Sequence, residues 1–67
     1  MRIYELIWAN VSIGKVDIYD NTNAFVATLK NKDFKNKEYA DLLIKEIEKW
    51  YIASVTTEKI TLGIKLK

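Results

Sequence analysis

The clearest pattern in the chain is an alternation of apolar residues with small, polar or basic ones over residues 60–66. The apolar positions are Ile60, Leu62, Ile64 and Leu66. Successive side chains of a strand point to opposite faces, so this spacing predicts a strand with one aliphatic face.

Residues 11–19 and 24–30 predict two more strands. In the first, the apolar positions change phase across Gly14-Lys15: Val11 and Ile13 are odd, whereas Val16 and Ile18 are even. A glycine at such a phase change predicts a bulge that keeps all four side chains on one face. In the second, Phe25, Ala27 and Leu29 are expected to share a face. The polar residues 20–23 between the two strands predict a hairpin turn, where asparagine tolerates positive φ.

Residues 2–9 also alternate, and their β-branched and aromatic residues favour a strand. On this interpretation Ile3, Glu5, Ile7 and Ala9 face one way, and Arg2, Tyr4, Leu6 and Trp8 face the other. Both faces are largely apolar, which is typical of a central strand or of one covered by a partner.

Residues 37–53 show the three- and four-residue spacing of an amphipathic helix, preceded by Asn36 as its N-cap. The repeating positions are Tyr39, Leu42, Leu43, Ile47, Trp50 and Ser54. An alternative ends the helix near Ile44 and makes residues 46–54 a strand, because Trp50, Tyr51 and Ile52 favour strands. Of the two interpretations, the helical one is preferred.

These elements predict an α+β fold of order β-β-β-α-β. A small antiparallel sheet would have one amphipathic helix packed on one face. The 67 residues are expected to form a single domain, residues 1–67. A chain of this size with no disulfide commonly gains stability by self-association, so a homo-oligomer is expected.

Composition narrows the function. The chain has no cysteine and no histidine, which removes disulfides, thiolate nucleophiles, the commonest general base and the commonest transition-metal ligand. We therefore expect no enzyme activity, no cofactor and no metal. No apolar run is long enough to span a membrane, and residues 1–5 lack the features of a signal peptide, so a cytoplasmic protein is expected.

The charge distribution raises a nucleic-acid alternative. The net charge is only +2, but residues 30–37 contain four lysines and one aspartate. These lysines are Lys30, Lys32, Lys35 and Lys37, with Phe34 among them. Lysines interleaved with an aromatic residue engage phosphates and a base, so the sheet and this loop together form a candidate nucleic-acid or phosphate-binding surface. The simpler interpretation is a solvated loop.

The aromatic residues give the other candidate surface. Tyr4 and Trp8 share one face of the predicted first strand, and one helix cannot bury both of its faces. Either this stripe is core, or it marks an interface with Tyr4, Trp8 and Phe34 as anchors.

We therefore expect a small, non-enzymatic, oligomeric binding protein that acts by occupying a macromolecular partner. A short, one-domain chain rich in Lys, Asn, Ile and Tyr resembles the small accessory or inhibitor proteins of low-GC bacteria and their phages. That resemblance implies a host protein as partner. The alternatives are the nucleic-acid binder and an oligomer that sequesters a phosphorylated small ligand between subunits.

Overall fold

The chain folds into a four-stranded mixed sheet with short helical segments on one face. The computed structural model describes residues 1–10 and 12–67. Its elements in chain order are α1 (Ile3–Trp8), β1 (Ile13–Tyr19), β2 (Phe25–Lys30), α2 (Ala40–Leu43), β3 (Ile47–Val55) and β4 (Ile60–Leu66). Single 3₁₀ turns at Asn31–Asp33 and Lys37–Tyr39 precede α2. The α+β class is confirmed, but the order is α-β-β-α-β-β.

The sheet consists of two hairpins joined side by side, with strand order β2-β1-β4-β3. β1 pairs with β2, and β4 with β3, in antiparallel fashion, whereas the central pair β1 and β4 is parallel. The expectation of an antiparallel sheet is therefore wrong at its centre. The connection through α2 carries the chain from the β2 edge to the β3 edge, so the second hairpin returns β4 alongside β1 in the same direction.

The segment predicted as a strand, residues 2–9, forms the helix α1 over Ile3–Trp8. Ile3, Leu6 and Ile7 are buried together because their three- and four-residue spacing places them on one helical face. The Glu5 carboxylate accepts the Arg2 backbone N–H at 2.8 Å, and the Asn10 side-chain amide donates to the Leu6 carbonyl at 2.8 Å. These bonds satisfy backbone groups at both ends of α1 and outweigh the strand preference of the β-branched residues.

The predicted long helix over 37–53 is also wrong, and the alternative with a strand after residue 45 is confirmed. Asn36 does act as a cap, since its side chain accepts the Glu38 N–H at 3.0 Å, but it caps a 3₁₀ turn. After α2 the chain is held extended by the N-terminal residues: Ile3 N–H donates to the Lys45 carbonyl and Ile47 N–H to the Met1 carbonyl. This long-range pairing favours β3 over continued helix.

The β1–β2 hairpin and its turn are confirmed. Asp20 Oδ1 accepts the backbone N–H groups of Thr22 and Ala24 and the Thr22 hydroxyl, and Asn23 has φ 68°. These hydrogen bonds, that of the Thr22 hydroxyl foremost, lower the pKa of the Asp20 carboxyl below its ordinary value of 3.8.

The bulge predicted at Gly14 is seen as a register shift of β1 against β4 between Ile13 and Lys15. It leaves Ile13, Val16 and Ile18 all buried, whereas Val11, and with it the predicted start of this strand, lies outside the described residues. A second shift, between Ile18 and Tyr19, places Phe25 opposite Tyr19. Phe25 is consequently exposed and does not share the inward face of β2 with Leu29, contrary to expectation.

The core lies between the helical segments and one face of the sheet. Its largest fully buried side chains are Ile3, Ile18, Leu29, Ile64 and Val16. β4 contributes its aliphatic face as predicted, with Leu62, Ile64 and Leu66 buried. The opposite sheet face is left uncovered by other elements of the described chain. Among residues 1–10 and 12–67, no helix is long and apolar enough to cross a membrane.

Candidate partner-binding groove

The aromatic pair Tyr4 and Trp8 projects from α1 with four-residue spacing. The ring centroids are 5.2 Å apart and the planes are inclined by 51°, a tilted arrangement that favours edge-to-face attraction. Leu6, expected between them on the same stripe, is buried in the core instead. Tyr4 and Trp8 therefore lie side by side as predicted, but because they are one helical turn apart and not because they share the face of a strand.

Trp8 is held in place while remaining 52% exposed. Its indole Nε1–H donates to the Phe34 carbonyl at 3.0 Å. This bond fixes the indole orientation and satisfies its polar atom, so the ring offers a preorganised apolar surface at small entropic cost to a ligand.

Phe34 itself is a core residue and not an anchor. Its side chain is only 7% exposed, and its predicted role in direct contact with a partner does not fit this burial. The 3₁₀ turn at Asn31–Asp33, where Asp33 accepts the Lys30 N–H at 3.0 Å, directs Phe34 inward. Its contribution to the surface is the carbonyl that holds Trp8.

Tyr4 and Trp8 form one wall of an open groove of about 740 Å³. We refer to this feature as the α1 groove. Its lining residues are Arg2, Tyr4, Trp8, Lys35, Asn36, Lys37, Ala40, Leu43 and Ile44. Leu43 is buried while Ile44 is exposed, so the lining also combines a buried and an accessible aliphatic side chain.

The charges around the α1 groove have one sign. Arg2, Lys35 and Lys37 line it, and none of its lining residues is acidic. Within residues 1–10 and 12–67 the ion pairs are Lys65 with Glu48 and Lys67 with Glu46, so the three groove cations have no carboxylate within 4 Å. Cations without an internal counterion beside the exposed Trp8 indole leave their attraction available to an anionic ligand.

The structure divides the four predicted loop lysines among different surfaces. Lys35 and Lys37 lie on the α1 groove. Lys32 lies with Lys35 on an adjacent hollow of about 470 Å³ on the other side of Trp8. Lys30 ends β2 and pairs across the sheet with Lys15. The candidate aromatic and basic sites, separate in the sequence, therefore meet at Trp8, while Lys30 belongs to the sheet.

Sequence reasoning missed Arg2, Leu43 and Ile44 as groove residues. Arg2 precedes α1. Leu43 ends α2 and Ile44 follows it, whereas the preferred prediction placed both residues inside a long helix. The signal available was the strand preference of residues 50–52, which shortens the helix and exposes its end. Among the described residues no cluster of three or more acidic side chains could hold a metal ion.

Comparison with known proteins gives no relative: no family model, curated protein or solved structure matches this chain.

Proposed function

We propose that this protein is a small binding protein that occupies a macromolecular partner in the cytoplasm. The α1 groove would receive an acidic segment of a host protein that carries at least one apolar side chain. The observation that carries the proposal is the convergence of a fixed, half-exposed indole with three cations that lack internal carboxylate partners.

Charge and shape both support an acidic, partly apolar ligand. Carboxylates would approach Arg2, Lys35 and Lys37, whose attraction acts over about 8–10 Å at moderate salt. An apolar side chain would lie between the Trp8 ring and Ile44. Tryptophan is among the residue types that most often dominate the binding energy of an interface. The absence of cysteine is in keeping with a reducing compartment.

The test uses a defined acidic probe. A synthetic peptide of alternating glutamate and leucine would be titrated into the protein while Trp8 fluorescence is followed in a Trp50→Phe background. We expect saturable binding that weakens as salt rises. A lysine–leucine peptide of the same length should not bind.

Two charge-reversal variants separate the groove from overall charge. Lys35→Glu with Lys37→Glu removes two groove cations, whereas Lys45→Glu with Lys59→Glu changes two exposed lysines outside the groove by the same total charge. The proposal requires at least a tenfold loss of affinity in the first variant, of the order expected for two charged contacts. Equal losses in both variants would contradict it.

A second candidate function, nucleic-acid binding, is favoured by the open sheet face. Lys15 lies directly opposite Lys30, and Lys49 directly opposite Lys65. Like charges in directly opposed positions destabilise a sheet, and of these four lysines only Lys65 has a carboxylate within 4 Å among the described residues. Exposed Tyr51 lies on the same face, over Gly63, and could stack a base.

This candidate predicts binding of a single-stranded oligonucleotide with a steep salt dependence. Lys15→Glu with Lys30→Glu should abolish that binding and leave the acidic peptide unaffected. Binding that survives this double change, or that ignores salt, would exclude the sheet as a nucleic-acid surface.

A further inference from the structure

β3 is an edge strand with an apolar exposed side. Within the described residues its one neighbouring strand is β4, and at nine residues it is the longest described strand. Trp50, Tyr51, Ile52 and Val55 are all large hydrophobic side chains that remain 46–66% exposed. Trp50 and Ile52 lie opposite the buried residues Ile64 and Leu62 and share the helical face of the sheet, whereas Tyr51 lies on the open face, over Gly63. Clusters of exposed apolar side chains on small proteins mark interaction sites.

The pairing with β4 shows which backbone groups of β3 are unused. Thr56 N–H donates to the Lys59 carbonyl, and Lys67 N–H to the Glu46 carbonyl. The pairs Val55–Ile60 and Ile47–Leu66 are therefore flanked by hydrogen bonds and not joined by them. The pairs Trp50–Ile64 and Ile52–Leu62 lie on the same sheet face as those two pairs. They are therefore also non-hydrogen-bonded pairs.

It follows that the N–H and C=O groups of Trp50 and Ile52 point away from β4, toward the open edge. Ile47, of the same type, illustrates the geometry, because its N–H reaches outward to the Met1 carbonyl at 2.8 Å. The N-terminal residues thus occupy the edge up to Ile47, and beyond that point no segment of residues 1–10 or 12–67 pairs with it.

The free edge is complementary to itself. We infer that β3 pairs antiparallel with β3 of a second copy about a twofold axis at Tyr51, joining two sheets into one. In this register Trp50 lies opposite Ile52 of the second copy, and Ile52 opposite Trp50. Both residues direct their side chains to the same face and their free backbone groups to the partner, so each pairing forms a reciprocal pair of hydrogen bonds.

The two bulges of β3 select this register. The shifts against β4 fall between Ile47 and Lys49 and between Ile52 and Ser54. The residue pairs 48–49 and 53–54 exchange places under rotation about Tyr51, so irregular positions oppose each other and residues 50–52 stay regular. Moving the axis to Trp50 or Ile52 would place a bulge against one of the aligned apolar residues.

Charge and shape agree with a second copy as the occupant. About Tyr51, Lys49 faces Ala53 and Glu48 faces Ser54, so no like charges are directly opposed. On the helical side a depression of about 230 Å³ adjoins the strand, lined in part by Leu6, Ile13, Trp50 and Ile52. The Trp50 indole of the second copy, opposite Ile52, would lie at its mouth.

Cysteine cross-linking tests the register, since the chain has no cysteine of its own. Tyr51 and its symmetry mate would form a non-hydrogen-bonded pair with Cα atoms about 4.5 Å apart, within the range of a disulfide. Tyr51→Cys should therefore oxidise to a covalent dimer at least about tenfold faster than Phe25→Cys, an exposed position on the opposite edge. Equal rates, or no cross-linking of Tyr51→Cys, would overturn the proposal.

Solution mass supplies the independent test. Light scattering of the wild-type protein at micromolar concentrations should give twice the chain mass of 7.8 kDa. Ile52→Lys should give a monomer with an unchanged circular dichroism spectrum, whereas Val26→Lys, a matched change on the β2 edge, should remain dimeric. A wild-type monomer, or a dimer unaffected by Ile52→Lys, would overturn the proposal.

Discussion

The two tryptophans of this protein are almost equally exposed, at 52% for Trp8 and 46% for Trp50, yet their surroundings differ in kind. Trp8 lies on a helix, its indole N–H is bonded to the Phe34 carbonyl, and cations line the α1 groove beside it. Trp50 lies on an edge strand whose outward backbone groups at Trp50 and Ile52 have no partner within the described part of the chain.

Exposure alone therefore does not define a binding surface. What distinguishes the two sites is the chemistry left unsatisfied around each ring. At Trp8 this is positive charge, which suits an acidic segment. At Trp50 it is backbone hydrogen bonding, which suits another strand. The two surfaces should therefore respond independently to mutation.

Leu6→Ala should have the largest effect and damage both surfaces. Leu6 lies on the buried face of α1 and also lines the depression beside β3. Truncating a buried leucine costs about 2–5 kcal/mol, a large share of the stability of a domain this small. Urea denaturation would measure the change, and a loss below about 1 kcal/mol would mean that α1 is not anchored in the core as described.

Trp8→Ala should separate the surfaces. We expect acidic-peptide affinity to fall by about 2 kcal/mol, roughly thirtyfold, because the ring is the main apolar contact of the α1 groove. Stability should fall less, by about 1 kcal/mol, since half of the side chain is already solvated and one hydrogen bond is lost. Calorimetry would measure the peptide affinity and the thermal stability, and light scattering would measure the mass of the variant. A variant that loses its dimer along with peptide binding would contradict the independence of the two surfaces.

Gly63→Ala should affect only the β3 region, by about 1 kcal/mol. A Cβ at this position would overlap the ring of Tyr51, so the ring must swing away from the strand it covers. Thermal denaturation and the dimer dissociation constant should both show the change, and acidic-peptide affinity should not. Altered peptide affinity would indicate coupling between the two surfaces.

Asp20 gives the smallest expected effect and serves as a control remote from both tryptophans. The pKa of its carboxyl is lowered in the folded state. The hydrogen bonds of the carboxylate therefore stabilise the hairpin fully at pH values above the ordinary pKa of 3.8, and this stabilisation is lost as the pH falls through the lower pKa of the folded state. Asp20→Asn should therefore reduce the acid sensitivity of stability below about pH 4. An unchanged pH profile between pH 2 and 5 would show that the turn contributes nothing there.

The sequence predicted β1, β2 and β4 because their partners or patterns are local. Asp20 and Asn23 form the turn within a few residues of the strands they join, and β4 alternates regularly. α1 and β3 differ from the preferred predictions because each depends on distant residues. Met1 and Ile3 pair with the chain around Lys45–Ile47, and such long-range contacts override the strand preference of residues 2–9 and the helical periodicity of residues 37–53.

The candidate site was predictable in its parts and not in its assembly. Tyr4, Trp8 and the loop lysines were recognisable by residue type, but only the folded chain places Lys35 and Lys37 beside the aromatic pair. Phe34 could not be assigned correctly from sequence, because an aromatic residue among lysines has the same local pattern whether it points inward or outward. The self-complementary edge of β3 was hidden by the helical periodicity of residues 37–53.

Single-tryptophan fluorescence tests the independence of the two surfaces most directly. Trp50→Phe leaves Trp8 as the only reporter, and Trp8→Phe leaves Trp50. We predict that the acidic peptide changes the emission of Trp8 alone, and that dilution through the dimer dissociation constant shifts the emission of Trp50 alone to longer wavelength. If both tryptophans respond together to either treatment, the two surfaces form one site, and their proposed independence is wrong.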